Sequence, residues 1–359
     1  MSTPTVEGTL FGTMVDGTPV QAFTLRGGGV EVRLMEFGAT LLSIRAPDRD
    51  AVMGDVILGY DDVASYERGT AYMGGLCGRF AGRIARGRFE LDGELHELPV
   101  NAPPHHLHGG VRGFNLVYWR GRIVPHADGA GAVEFKYESA DGEEGYPGTL
   151  VVTVTARLDA RGELQLRYGA TTDRATPLNL THHPYWNLSG GLARDVLAHE
   201  LTVRASNYLP LDPTLIPLGT LADVVRTPFD FRARRAIGER IGDRSEQLVY
   251  GAGYDHCFAL DPGDALDDAA VPAALLHDLA SDRVLEIRTT EPALQLYSGN
   301  YLGRERGRLD GSLCRHAGVA LEAQRFPDAP NQEAFPSAIL RPGERWESAT
   351  TYRFRIAGA

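Results

Sequence analysis

The pattern that runs through this chain has a period of two. In "AVEFKYES", Val133, Phe135 and Tyr137 alternate with Glu134, Lys136 and Glu138. "ELQLRYGA" sets Leu164, Leu166 and Tyr168 against Gln165 and Arg167, and "TYRFRIA" sets Tyr352, Phe354 and Ile356 against two arginines. "LVVTVTARL" and "ELTVRAS" fit the same template. Successive side chains of a strand point to opposite sides, so this alternation predicts half-buried strands. Helix candidates are short and few, around 61–68 and around 233–241. The stretch 260–278, "LDPGDALDDAAVPAALLHD", reads as an insertion in a surface loop. Strands from end to end without a long helix predict an all-β fold, a large antiparallel β-sandwich or barrel rather than βαβ units.

Composition sharpens this. The 359 residues include 42 glycines and 21 prolines, a density that cuts strands into short pieces and suits turns better than helices. The chain shows no repeat of fixed period, and is expected to form a single domain over 1–359. Lys plus Arg total 36 against 47 Asp plus Glu, a net charge of -11, which argues against nucleic acid as a partner. The three cysteines, Cys77, Cys257 and Cys314, are far apart and form no CxxC pair, so neither a disulfide framework nor a thiolate zinc site is expected. No apolar run reaches the ~20 residues of a membrane helix, and "MSTPTVEGTLFG" does not read as a signal peptide; a cytoplasmic location is the expectation. There is no Walker loop, no dinucleotide fingerprint and no G-x-S-x-G elbow.

Five polar stretches interrupt the strands. "GRFAGRIARGRF" carries Arg79, Arg83, Arg86 and Arg88, which suit either a solvated face or a guanidinium reaching a polar ligand. "HHLHGG" places His106 and His108 on one side if extended, next to a glycine pair that suits close backbone approach. A metal site and a proton-handling pair both remain open there. "LTHHPYWNL" holds His182 and His183 beside Tyr185 and Trp186; the rings suit a sugar face or the core. Asp255 in "GYDHCF" suits a turn or a ligand contact. Glu322 ends the apolar run "GVALEA". A carboxylate there is costly unless paired or used, and burial would raise its pKa towards that of a general base. Its structural alternative is an ion pair with Arg325 or another cation.

Taken in order, "GRFAGRI", "HHLHGGVRGF", "DGEEGYPG", "THHPYWNL", "YDHCF", "EPALQLYSGN" and "LEAQRFPDAPNQ" resemble the galactose mutarotase (aldose 1-epimerase) family over nearly the whole chain. The resemblance implies a supersandwich fold, no cofactor, no metal, and interconversion of the α and β anomers of free aldoses such as D-galactose or D-glucose. It implies that Glu322 is the general base, His183 the general acid and His108 a second active-site histidine. Arg83, Asp255 and Gln295 match residues that hold the sugar. The chain departs from the family at Gly82, at His105 and at His182, where asparagine is frequent. On a strand His182 is expected to point away from His183 and to act structurally, with Trp186 or a neighbouring aromatic as a stacking face. The expected partner is a monosaccharide, with no nucleic acid and no membrane, on a monomer or homodimer. The alternatives are a sugar-phosphate mutarotase, a silent carbohydrate-binding module on the same fold, and a metal-dependent barrel enzyme using His106, His108 and His183.

Overall fold

A computed structural model describes residues 3–125, 131–191, 195–263, 272–303, 306–308, 311 and 313–358. The alternating segments all form strands. "LVVTVTARL" is the strand Leu150–Leu158, whose odd-numbered residues are half-exposed and whose even-numbered residues Leu150, Val152, Val154, Ala156 and Leu158 are buried. It lies inside a nine-stranded antiparallel sheet with Gly131–Ser139, Glu163–Thr172, Trp346–Ile356 and Arg283–Thr289. The outward side chains of this sheet are polar and pair across strands, as Arg353 does with Glu163.

The inward face of that sheet is covered by two others. One has five strands in sequence order, from Thr5–Thr13 to Met53–Asp55. The other has six, in the order Tyr185–Trp186, Val319–Gln324, Ala293–Tyr297, Asp255–Ala259, Asn207–Tyr208, Ala222–Asp223. All three sheets contribute to one apolar cluster, among them Val32 and Leu34, Val152 and Val154, and Leu294, Leu321 and Phe258. This is the antiparallel sandwich predicted by the period of two.

The helices differ in detail. Helix α1, Val63–Arg68, falls where expected, capped by the Asp62 carboxylate accepting from the Ser65 N–H at 2.7 Å. Residues 233–241 hold a strand piece, Arg235–Ala236, and a single 3-10 turn, Ile237–Glu239. The Ile237 and Gly238 N–H groups donate to the His199 and Leu197 carbonyls, so this segment is drawn onto a sheet edge instead of coiling. Helix α2 lies later, at Glu246–Gly251. The loop reading of 260–278 is also corrected. Ala274–His277 is a strand paired on both sides, while 264–271 lie outside the described residues.

Candidate active site

The six-stranded sheet has one dry face and one open face, and its period of two decides which residues meet each. Leu321, Ala323, Leu294, Leu296 and Phe258 face the core. Their alternates, Glu322, Gln324, Gln295, Tyr297, Cys257 and Asp255, line a pocket of about 1020 Å³ including the solvent at its mouth. Register aligns them. Glu322 pairs with Gln295, which pairs with Cys257; further along the same strands, Tyr297 pairs with Asp255. Tyr185 pairs with Ala320, which brings His183 alongside Glu322.

The result is a close acid–base pair. His183 Nε2 stands 3.5 Å from Glu322 Oε1, with both residues buried. His183 Nδ1 and Glu322 Oε2 have no hydrogen-bond partner among the described residues. Arg325, the alternative partner for Glu322, instead stacks over Trp346 and donates to the Ser337 carbonyl. Burial, then the nearby Asp255, pushes the Glu322 carboxyl well above the usual carboxylate range, with Arg83 opposing. Burial pushes the His183 imidazole down to about 4. Burial thus disfavours charge on both members, and favours a proton on Glu322 over one on His183. Moving it to His183 yields carboxylate and imidazolium with no exchange with solvent.

His108 reaches the pocket from the other wall. Its φ of 49° is left-handed, an uncommon state for a residue with a Cβ. It is held by Gly82, whose carbonyl accepts from the His108 N–H at 3.0 Å and whose N–H donates to His108 Nδ1 at 3.2 Å. Nδ1 is thus an acceptor, so the neutral ring carries its proton on Nε2. Burial, then His183 and Arg83, hold its pKa well below the ordinary value. His108, His183 and Glu322 offer atoms within 4.8 Å of one another, a spacing a metal ion could bridge. The His108 tautomer does not suit one. A ligating histidine donates through its outer nitrogen, whereas here that nitrogen accepts. The arrangement suits an Nε2–H aimed at a substrate oxygen.

Asp255, Arg83 and Gln295 form the remaining polar wall. Gln295 Nε2 donates to Asp255 Oδ1 at 2.7 Å, and Arg83 Nη2 stands 3.7 Å from Asp255 Oδ2. Burial raises the Asp255 pKa against the opposing pull of Arg83 and Gln295. All six expected site residues, Glu322, His183, His108, Arg83, Asp255 and Gln295, therefore line one pocket.

Several expectations need correction. His106 and His108 do not share a side. His106 Nδ1 is bound to the Pro99 carbonyl at 2.7 Å and Nε2 to the Tyr146 hydroxyl at 2.7 Å, so it has no free nitrogen for a metal. The glycine pair does approach something closely, but it is the protein itself. A Cβ on Gly109 would overlap the Gly78 carbonyl, and one on Gly110 the Glu144 carboxylate. Trp186 faces the core against Tyr352, with ring centroids 5.1 Å apart, and supplies no sugar face. The pocket's rings are Tyr72, Tyr185, Tyr297 and Tyr301. Of the arginines, Arg86 and Arg88 are exposed, while Arg79 is buried and clamps the "DGEEGYPG" segment through the carbonyls of Pro147 and Gly148. Tyr297 and Gln324 were legible in principle, each two residues beyond an expected site residue on a strand. Tyr72 carried no such signal.

The chain is similar to known proteins over nearly its whole length. The aldose 1-epimerase family model matches residues 21–353. Galactose mutarotase of Rattus norvegicus is 40% identical over 354 residues, covering 98% of this chain and 99% of that protein. Aldose 1-epimerase of Escherichia coli is 39% identical over 346 residues, covering 94% and 96%. The crystal structure of galactose 1-epimerase from Lactobacillus acidophilus superposes with a TM-score of 0.85 at 27% identity, covering 98% of this chain and 99% of that one.

Proposed function

Because this chain belongs to the aldose 1-epimerase family and is a mutarotase, we propose that Glu322 and His183 open and reclose the ring of a free aldose. One observation carries the assignment: the 3.5 Å separation of His183 Nε2 and Glu322 Oε1 on the wall of the pocket. Ring opening requires that the anomeric hydroxyl lose a proton and the ring oxygen gain one. Glu322, as carboxylate, takes the first. His183, as imidazolium, gives the second. The anomeric O–H donating to the carboxylate, with Arg83 nearby, favours the charged form of the pair. The His108 Nε2–H supports the developing charge at the ring oxygen or an adjacent hydroxyl. Arg83, Asp255 and Gln295 hold ring hydroxyls. The aldehyde turns about C1–C2, and closure on its other face inverts the anomeric centre with the two residues acting in reverse.

A free sugar fits the wall better than a phosphorylated one. Arg83 is the one cationic side chain among the described lining residues, and it already faces Asp255. A phosphate would meet Asp255 and Glu322 with too little positive charge to offset them. The test is polarimetry of freshly dissolved α-D-galactose and α-D-glucose in chelator-containing buffer. The expected result is accelerated approach to the equilibrium rotation. No acceleration with either sugar, and none with pentoses, would overturn the reading.

A further inference from the structure

Among the polar side chains of the pocket without a role in the chemistry above is Gln324. Gln324 lies two residues beyond Glu322 on the same strand, so it rises from the same face. It is 1% exposed, as deeply set as Glu322 at 2%. Neither Oε1 nor Nε2 has a hydrogen-bond partner among the described residues. Its polar neighbour is the Cys257 thiol, a weak partner. Across the strand it pairs with Ala293, which offers no polar group to the amide. Other buried amides contrast with it. Asn179 donates to the carbonyls of Ala81 and Arg325 and accepts from the Arg325 N–H. Asn187 donates to the Ala317 carbonyl and accepts from Ser189. An unsatisfied buried amide is destabilising, a cost that a partner from the substrate would remove.

We propose that Gln324 is a further sugar-contacting residue, whose carboxamide exchanges hydrogen bonds with one ring hydroxyl or the hydroxymethyl group of the bound aldose. This rests on the pocket being the mutarotase site. A hydroxyl both donates and accepts, which matches an amide carbonyl and N–H₂ that have no partner stronger than the Cys257 thiol. Register puts Gln324 on the side of Glu322 away from Asp255 and Tyr297, so it reads a part of the sugar that Asp255 does not. A site built to bond a hydroxyl rejects an analogue lacking it, so Gln324 discriminates among aldoses.

The test compares kcat/KM for mutarotation of galactose and its 2-, 3-, 4- and 6-deoxy analogues by the wild type and by Gln324→Met, which keeps length and removes the amide. The wild type loses about 10- to 100-fold on the analogue lacking the hydroxyl that Gln324 reads. Gln324→Met loses a similar factor on galactose and no longer separates galactose from that analogue, while its other ratios stay at wild-type values. Gln324→Asn, which retains a shortened amide, keeps part of the discrimination and serves if the Met variant does not fold. The proposal is overturned if the folded variant keeps wild-type kcat/KM on galactose, or loses the same factor on every sugar. Failure of the wild type to accelerate any of the sugars would instead remove the mutarotase reading itself.

Discussion

Two short segments each carry adjacent or near-adjacent histidines, and in each a pair of rings, His182 with His183 and His106 with His108, has opposite fates. In residues 181–183, His182 is tied at both nitrogens, to the Tyr168 hydroxyl at 2.8 Å and the Ala39 carbonyl at 2.9 Å. His183 has Glu322 3.5 Å from its Nε2, and its Nδ1 is unpartnered among the described residues. In residues 105–110, His106 is tied at both nitrogens, while His108 keeps Nε2 for the pocket. Burial does not distinguish them, because all four are almost fully enclosed or line a buried wall. Hydrogen-bond saturation does. Of these four, the rings with two partners are part of the fold, and the rings that keep a nitrogen and also line the pocket are available for chemistry; His105, with Nε2 unpartnered but outside the lining, lacks the second condition. The segments reach this by different routes. Strand alternation alone turns His183 away from His182. His108 needs a left-handed turn that the two backbone groups of Gly82 hold in place.

The largest effects should come from removing the groups with spare capacity. Glu322→Gln and His183→Asn should each lower kcat by about 10²- to 10⁴-fold, the usual contribution of a positioned acid or base. Thermal unfolding of both variants should stay near that of the wild type. A variant retaining near wild-type rate would undo the contrast at that residue. His182→Phe should do the reverse. It leaves the Tyr168 hydroxyl and the Ala39 carbonyl unpartnered, costing about 1–3 kcal/mol for each buried group. Its kcat/KM per folded molecule should stay close to wild type, so equilibrium denaturation paired with polarimetry separates the two histidines.

The pH profile refines the same contrast. In the proposed mechanism the pair works with one proton, and a second is added only as pH falls through about 4, the depressed value of the His183 imidazole. The rate should therefore hold well below the ordinary histidine range and decline towards pH 4. Its alkaline limb should lie well above the ordinary carboxylate range, because loss of the remaining proton is governed by the raised Glu322. An acid limb centred near the ordinary histidine value of about 6.5 would mean that an exposed histidine controls the step. The smallest expected effect is that of Tyr146→Phe. Removing the hydroxyl from His106 Nε2 should cost about 1 kcal/mol of stability and leave kcat unchanged.

Much of this was legible along the chain. Period-two alternation in Leu150–Leu158 and Glu163–Thr172 carried the sandwich, because a sheet with one dry face imposes that pattern on every strand it contains. The same rule placed His183 opposite His182. It would also have placed Gln324 beside Glu322 and Tyr185, rather than Trp186, in the pocket. What failed were local readings: a helix over 233–241 and a loop over 260–278. In both, a neighbouring strand captured backbone groups that propensity had assigned elsewhere.

The order of residues was enough to set the strands, their faces and the chemical types gathered on the open face. Which of those groups meet was left to the folded arrangement. Glu322 and His183 lie far apart in sequence, and their 3.5 Å approach exists because Tyr185 registers against Ala320. Gly82 selects the His108 tautomer from 26 residues away. Alternation is a property of neighbouring residues, and a chain displays it openly. Register and hydrogen-bond saturation depend on groups that come together only on folding, so they leave no local trace.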